Sequence, residues 1–445
     1  MVGATTDGAD DAGRWFDRIR AVATPTELYA LLFALPKGAD LHIHLSGCGR
    51  PDDWYTLATT LRPGAHEVRV TDCPDGHARG TVVTVPAATV AALPACCRAG
   101  HRPLAELSDA ERERWDGMLT VGEDEPDSFF DRVTPQLKHL RKEPELLLGV
   151  LAATLDRAAA EHVDHLEFQT GPFGYVGADG PVPPDEMAAR YRAVLSGDRA
   201  TASGVTARLL INVSRTAEDV EDRLRLSFEM ADRHRDLWTG LHLSGREDQA
   251  RRSLDELAGT YWELHRRYPE LGVAVHAGEG FGAAYQVRPA TLLPVSRIGH
   301  GLALVEDEET MTALAAAGVA VECSLISNVR LGRIDGYGAH PLRRFIEAGL
   351  RPCLSTDNPG AWGSQLTDEF YVATRHLDLS WKQVTALARN SVDASFAPPA
   401  VRERLRRRLD DGLSRFAAEV LNPGWRTALA RHTPVMSPFA RRHLL

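Results

Sequence analysis

Short apolar runs recur along this 445-residue chain, most of them followed by a longer helical pattern, and no other feature limits the possible folds so tightly. The runs are Asp40 to Leu45, Asp164 to Phe168, Ala207 to Val213, Thr239 to Leu243, Val273 to His276, Arg297 to His300, Val319 to Ser324 and Arg351 to Ser355. They are rich in β-branched and aliphatic residues with little alternation, as strands of a buried parallel sheet are. Helix patterns lie between them, among them Pro144 to Glu161, Ala217 to Arg233, Asp248 to Tyr268, Glu308 to Ala317 and Pro341 to Ala348. Eight alternations of this kind predict an α/β chain folded as a (β/α)8 TIM-type barrel, one domain over residues 1–445. An open doubly wound sheet is the competing architecture, but no G-x-G-x-x-G opens a helix after the first run.

Two regions depart from the alternation. Residues 62–120 form an insertion after the first strand and contain a hairpin pattern. In it Glu67 to Thr71 and Thr81 to Val85 flank the turn residues Pro74, Asp75 and Gly76. In a barrel that place lies above the C-terminal mouth, so a lid is expected there. An acidic, aromatic stretch, Glu123 to Phe130, follows it, and from Trp381 onward extra Arg-rich helices are expected around the barrel. The Arg402 to Arg408 run reads as a solvated helix face.

Charge and cysteine content narrow the classes further. Fifty-one Lys and Arg against 61 Asp and Glu give a net charge of -10, which argues against a nucleic-acid-binding surface. No apolar run approaches the roughly 18 residues of a membrane span. Met1 to Gly13 lacks the basic and apolar regions of a secretory signal, so a cytoplasmic protein is expected. Six cysteines in a chain this long do not make a disulfide framework. Cys73-x3-His77 and Cys97-x3-His101 have the form of two halves of a structural zinc site, with Cys96 a spare thiol. The alternative is loop histidines and small buried thiols.

Four short motifs carry chemistry. His42-Ile43-His44 lies in the first strand, where side chains two apart share a face. One strand histidine is commonly a satisfied core residue; two on one barrel strand suggest metal ligands for Zn²⁺, Fe²⁺ or a similar ion. His276-Ala277-Gly278-Glu279 ends the fifth strand, Arg297-Ile298-Gly299-His300-Gly301 the sixth and Ser355-Thr356-Asp357-Asn358-Pro359 the eighth. Any one of these could be a surface histidine or a turn. All four at C-terminal strand ends indicate one site.

With Leu35-Pro36-Lys37-Gly38-Ala39-Asp40-Leu41 ahead of the first pair, these motifs resemble the adenosine deaminase family of metal-dependent amidohydrolase barrels. Weaker similarity runs through Thr239 to Gly245, Ser327-Asn328, Leu366 to Phe370 and Ala388 to Ser391, while residues 62–120 fall largely outside it. The resemblance implies one Zn²⁺ per chain held by His42, His44, His276 and Asp357. It implies His300 orienting an activated water, and Glu279 protonating the purine nitrogen beside the attacked carbon. It also implies Gly245 contacting purine N3, and a small-molecule purine nucleoside as substrate, converted to its 6-oxo product and ammonia. Two positions depart from the family pattern. Ser46 stands where members carry an aspartate that bonds the ribose 5′-hydroxyl, and Asn358 where many carry an aspartate facing purine N7. Asparagine can donate to N7. The loss of the carboxylate at Ser46 opens an alternative: a modified, 5′-substituted or phosphorylated purine, or another amino-heterocycle.

Overall fold

The alternation folds into one eight-stranded parallel sheet in the computed structural model, which describes residues 6–73, 83–122, 125–280 and 282–445. Its strands follow chain order: β1 (Gly38–His44), β2 (Val163–Gln169), β3 (Thr206–Ser214), β4 (Trp238–Ser244), β5 (Gly272–Ala277), β6 (Arg297–His300), β7 (Ala320–Cys323) and β8 (Arg351–Leu354). The seam closes just beyond β8. There the Asp357 amide donates to the His42 carbonyl and the His44 amide donates to the Asp357 carbonyl, each at 2.8 Å. A parallel sheet in sequential order that meets itself is a (β/α)8 barrel.

Each strand has two faces of different character. Leu166 and Phe168 of β2, Leu241 and Leu243 of β4, and Val273 and Val275 of β5 belong to the apolar core shared with the helices. The alternate residues, such as Glu167, His242 and His276, are also buried but polar. The outer face therefore holds the barrel together, and the inner face supplies the functional groups.

The helix patterns hold to within a few residues, with two instructive exceptions. The helix expected from Asp248 begins at Leu254, because Ser253 and Glu256 form a capping box and Glu247–Gln249 turns separately. Between β5 and β6 the described residues form only short turns, Ala284–Val287 and Arg288–Leu292, in a stretch interrupted by Pro289 and Pro294. Helices Trp381–Asp393, Pro399–Val420, Trp425–Leu429 and Pro438–His443 surround the barrel, as the sequence suggests. Trp381 stacks on Phe416 and meets Phe16 of the first helix, Thr6–Val22, at a tilt, joining both ends of the chain. Among the described residues no helix is long and apolar enough to cross a membrane.

The insertion holds a three-stranded antiparallel sheet in the order Thr84–Pro86, His66–Arg69, His101–Pro103. Glu67 pairs with Val85, as the hairpin pattern predicts, and with Pro103 on its other side. Residues 74–82, which contain the expected turn and His77, lie outside the described residues. The third strand escapes sequence reasoning because it is three residues long and ends in proline. The cysteines require a correction. Val70 and Thr71 both donate to the Gly100 carbonyl, which brings the two arms together, and Cys73 and Cys97 are joined in a disulfide. Their sulfurs are bonded to each other rather than free as zinc ligands, and His101 Nδ1 bonds the Cys97 carbonyl at 2.9 Å.

Candidate active site

The strand-end motifs converge at the C-terminal mouth. The ring centroid of His42 lies 4.5 Å from His276 and 4.9 Å from His300, and His276 lies 5.0 Å from His300. His44 is 5.6 Å from both His42 and His276. Asp357 Oδ1 lies 3.4 Å from His44 Nε2 and 3.7 Å from His42 Nε2. Two sets of possible ligand atoms, one from His42, His44 and Asp357 and one from His42, His276 and His300, each fall within 4.8 Å. The two sets share His42.

Burial sets the protonation of this cluster. It pushes the imidazoles of His42, His44 and His300 down to about 3, and those of His276 and His242 well below the usual histidine range. Neutral imidazoles keep a lone pair for a metal ion. His42 makes the assignment explicit: its Nδ1 bonds Glu322 Oε2 at 2.7 Å, leaving a buried Nε2 with no hydrogen-bond partner among the described residues. Burial also pushes the Asp357 carboxyl up to about 7, although Ser327 Oγ donates to Oδ2 at 2.6 Å and Asn358 Nδ2 to Oδ1 at 2.7 Å. A buried carboxyl among unprotonated imidazoles is a site short of positive charge.

The backbone is bent to achieve this. His300 and Asp357 have φ values of 66° and 61°, conformations that cost a residue with a side chain about 1–3 kcal/mol. Gly299 must lack a side chain, since a Cβ there would lie 2.6 Å from His42 Cε1. Asp40 accepts from Thr356 N and Oγ1 and ties the β8 loop to β1.

Glu279 follows β5 and is 8% exposed, with its amide donating to Glu247 Oε1 at 3.4 Å and its Oε1 lying 3.9 Å from Arg333 Nε. Ser46 sits half-buried on the short helix Leu45–Cys48, at the end of β1. Gly245 follows β4 with a φ of 97°, and a Cβ there would approach Ser214 Oγ to 3.4 Å. The Asn358 amide is directed at Asp357.

Several partners of the cluster were given no role by the sequence reading. Glu322 accepts from His42 and from Arg297 Nε at 2.5 Å, while Arg297 Nη1 reaches Glu167 Oε2 at 2.6 Å. His242 Nε2 meets His276 Nδ1 at 2.8 Å, and Asn328 Nδ2 donates to His300 Nδ1 at 3.2 Å. The signal was present as charged residues inside runs that read as wholly buried strands.

Fold and site together define a class: a barrel hydrolase of the amidohydrolase type. A sequence model described as adenosine deaminase matches residues 107–412, a span that leaves out β1 and its histidine pair. Adenosine deaminase from Escherichia coli O1:K1 is 29% identical over 310 residues, covering 64% of this chain and 89% of that protein. Among solved structures, an amidohydrolase from Burkholderia ambifaria with bound Zn aligns at a TM-score of 0.63 and 22% identity, over 88% of this chain and 94% of its own. The Arabidopsis ADAL protein complexed with IMP aligns at 0.63 and 21% identity, over 86% and 99%. The chain belongs to the adenosine deaminase family. It is a hydrolytic deaminase, and the family is metal-dependent.

Proposed function

We propose that this protein is a zinc-dependent deaminase that converts a 6-aminopurine nucleoside, adenosine or a close derivative, to the 6-oxo product and ammonia. The observation that carries the reading is the convergence of four unprotonated imidazoles and a buried carboxyl on one point of the barrel mouth, with Glu279 beside it. Bound Zn in the Burkholderia neighbour and IMP in the Arabidopsis neighbour are consistent with that metal and substrate class.

His42, His44, His276 and Asp357 would hold the ion, and the unpartnered His42 Nε2 is the donor such an ion requires. When bound, zinc supplies the acidity that makes water a nucleophile near neutral pH. His300, oriented by Asn328, takes and holds the proton released as water adds to C6. Glu279 delivers a proton to the adjacent ring nitrogen, so the addition does not build negative charge on the purine. The proton held by His300 then passes to the amino group, which leaves as ammonia, and the hydroxyl proton restores Glu279 as the 6-oxo product forms. Ser46, Gly245 and Asn358 are assigned to substrate positioning from the strand ends on which they stand. Protein purified without added zinc is expected to carry about one tightly held divalent ion per chain and to release ammonia from adenosine. Metal-free protein that deaminates normally would overturn the reading.

The insertion is assigned a lid role. The segment that follows it is anchored to the mouth by the Val121 amide, which donates to the Ala361 carbonyl at 3.0 Å, and by Phe129 against Trp362 at 5.0 Å. Replacing residues 67–85 with a short Gly-Ser linker is expected to spare metal content and change relative rates across a panel of adenosine, 5′-deoxyadenosine, methylthioadenosine and AMP. One common slowing, or none, would make the segment scaffold.

A further inference from the structure

Beside the histidine cluster lies a second recess, and its chemistry differs from that of the catalytic mouth. It is a cavity of about 300 Å³ bounded by Ser46, Arg141, Lys142, Gln169 and Asn212, among others. Among the described residues no aspartate or glutamate lines it, in a chain whose net charge is -10. Most arginines around the barrel are matched to carboxylates, as Arg157 is to Asp53 and Arg190 is to Glu145 and Glu186. Arg141 is half-buried, and its guanidinium has no hydrogen bond or ion pair among the described residues.

Gln169 is the second, independent sign of a missing ligand. Its side chain is 3% exposed, it lines the cavity, and neither its Oε1 nor its Nε2 has a partner among the described residues. Buried amides are almost always satisfied, so an unsatisfied one facing a cavity marks a place for a polar guest. The neighbouring polar groups do not fill this role. Thr170 Oγ1 is engaged with Tyr191 at 2.8 Å and Tyr175 at 3.2 Å, and Asn212 Oδ1 accepts from Ser244 Oγ at 2.5 Å.

Position selects the guest. Gln169 pairs in register with His44, and Ser46 is two residues beyond that histidine, so the cavity adjoins the cluster on the β1–β2 side. A purine whose amino group reacts at the cluster must place its opposite end in a neighbouring recess. An unpaired guanidinium, an ammonium and a buried amide donor, with a neutral Ser46 where a carboxylate would repel, suit a dianionic phosphate. We propose that this cavity receives the 5′-phosphate of a purine nucleotide, so that the preferred substrate class is the nucleoside 5′-monophosphate, with Arg141, Lys142 and Gln169 as its specificity-determining residues. The inference rests on the deaminase reading above and deepens it.

Two measurements separate the claims. The first compares kcat/KM for AMP and adenosine in the wild-type protein and in Arg141→Ala. AMP is expected to be preferred, and the variant to lose about 10- to 100-fold with AMP, mostly in KM, which is the range carried by a charge-assisted hydrogen bond. Adenosine, with no phosphate to lose, should fall far less. Lys142→Ala, altered at an exposed side chain that the fold does not need, is expected to show the same pattern more weakly. The second is calorimetric titration with IMP and inosine, which needs no turnover; IMP should bind more tightly, and the advantage should shrink in Arg141→Ala. Adenosine used as well as AMP, equal binding of IMP and inosine, or an equal loss on both substrates in the variant would overturn the phosphate site and leave the deaminase reading intact. Turnover of neither purine, with IMP still bound through Arg141, would overturn the deaminase reading and support the site.

Discussion

Exchanging Glu279 for glutamine is expected to leave the fold and the bound metal in place while lowering adenosine turnover by about 10²–10⁴. The bond to Glu247 comes from the backbone amide and is untouched, and glutamine, with nearly the same shape, can stay beside Arg333. An amide cannot deliver a proton to a ring nitrogen and be restored in the next cycle. Because the lost interaction forms as the reaction proceeds, kcat should fall while KM changes little. At about 1.4 kcal/mol per decade, the effect corresponds to roughly 3–5 kcal/mol of barrier. Steady-state kinetics with metal analysis of the same sample decide the point. A loss smaller than about tenfold would remove Glu279 from proton transfer, and loss of the metal would move it among the ligands.

The second large effect is expected from His276→Ala. This change removes one imidazole from the cluster and also deprives His242 Nε2 of its 2.8 Å partner. Partners that only orient metal ligands are typically worth about 10–100-fold in metal affinity, so loss of a ligand should exceed that range. The variant should therefore be isolated without metal and without measurable turnover. Circular dichroism should show the barrel still formed, since Val273 and Val275, on the opposite face of β5, hold the strand against its helices. A variant that keeps its metal and its rate would overturn the assigned ligand set.

The barrel was legible because the strands are short and aliphatic and most are followed by a recognisable helix. The site was legible because its residues fall at strand ends, where motifs are contiguous in sequence. Three kinds of feature were not. The Arg297, Glu167 and Glu322 network joins strands far apart in the chain, and only the closed sheet shows that these charges satisfy one another. The third strand of the insertion has too few residues to display a period, and it forms because His66–Arg69 offers it an edge. The Cys73–Cys97 bond depends on that same pairing, so the spacing alone offered half-sites for a metal or small buried thiols and gave no sign of a bridge. Arg141 belongs with these: a basic residue next to Lys142 and near a helix start looks like solvated surface until the cavity beside it is seen.

Asp357 makes the last stitch of the barrel with its backbone and presents the candidate ligand with its side chain, at a φ of 61°. That double duty limits which residues can replace it. Glycine adopts left-handed backbone freely, and aspartate and asparagine bear its cost of about 1–2 kcal/mol better than other residues. Glutamate, an equally good oxygen donor, is therefore disfavoured by the seam rather than by coordination chemistry. Of the tolerated residues only aspartate brings a carboxylate, so the geometry that closes the cylinder also dictates the chemical identity of the group at its mouth.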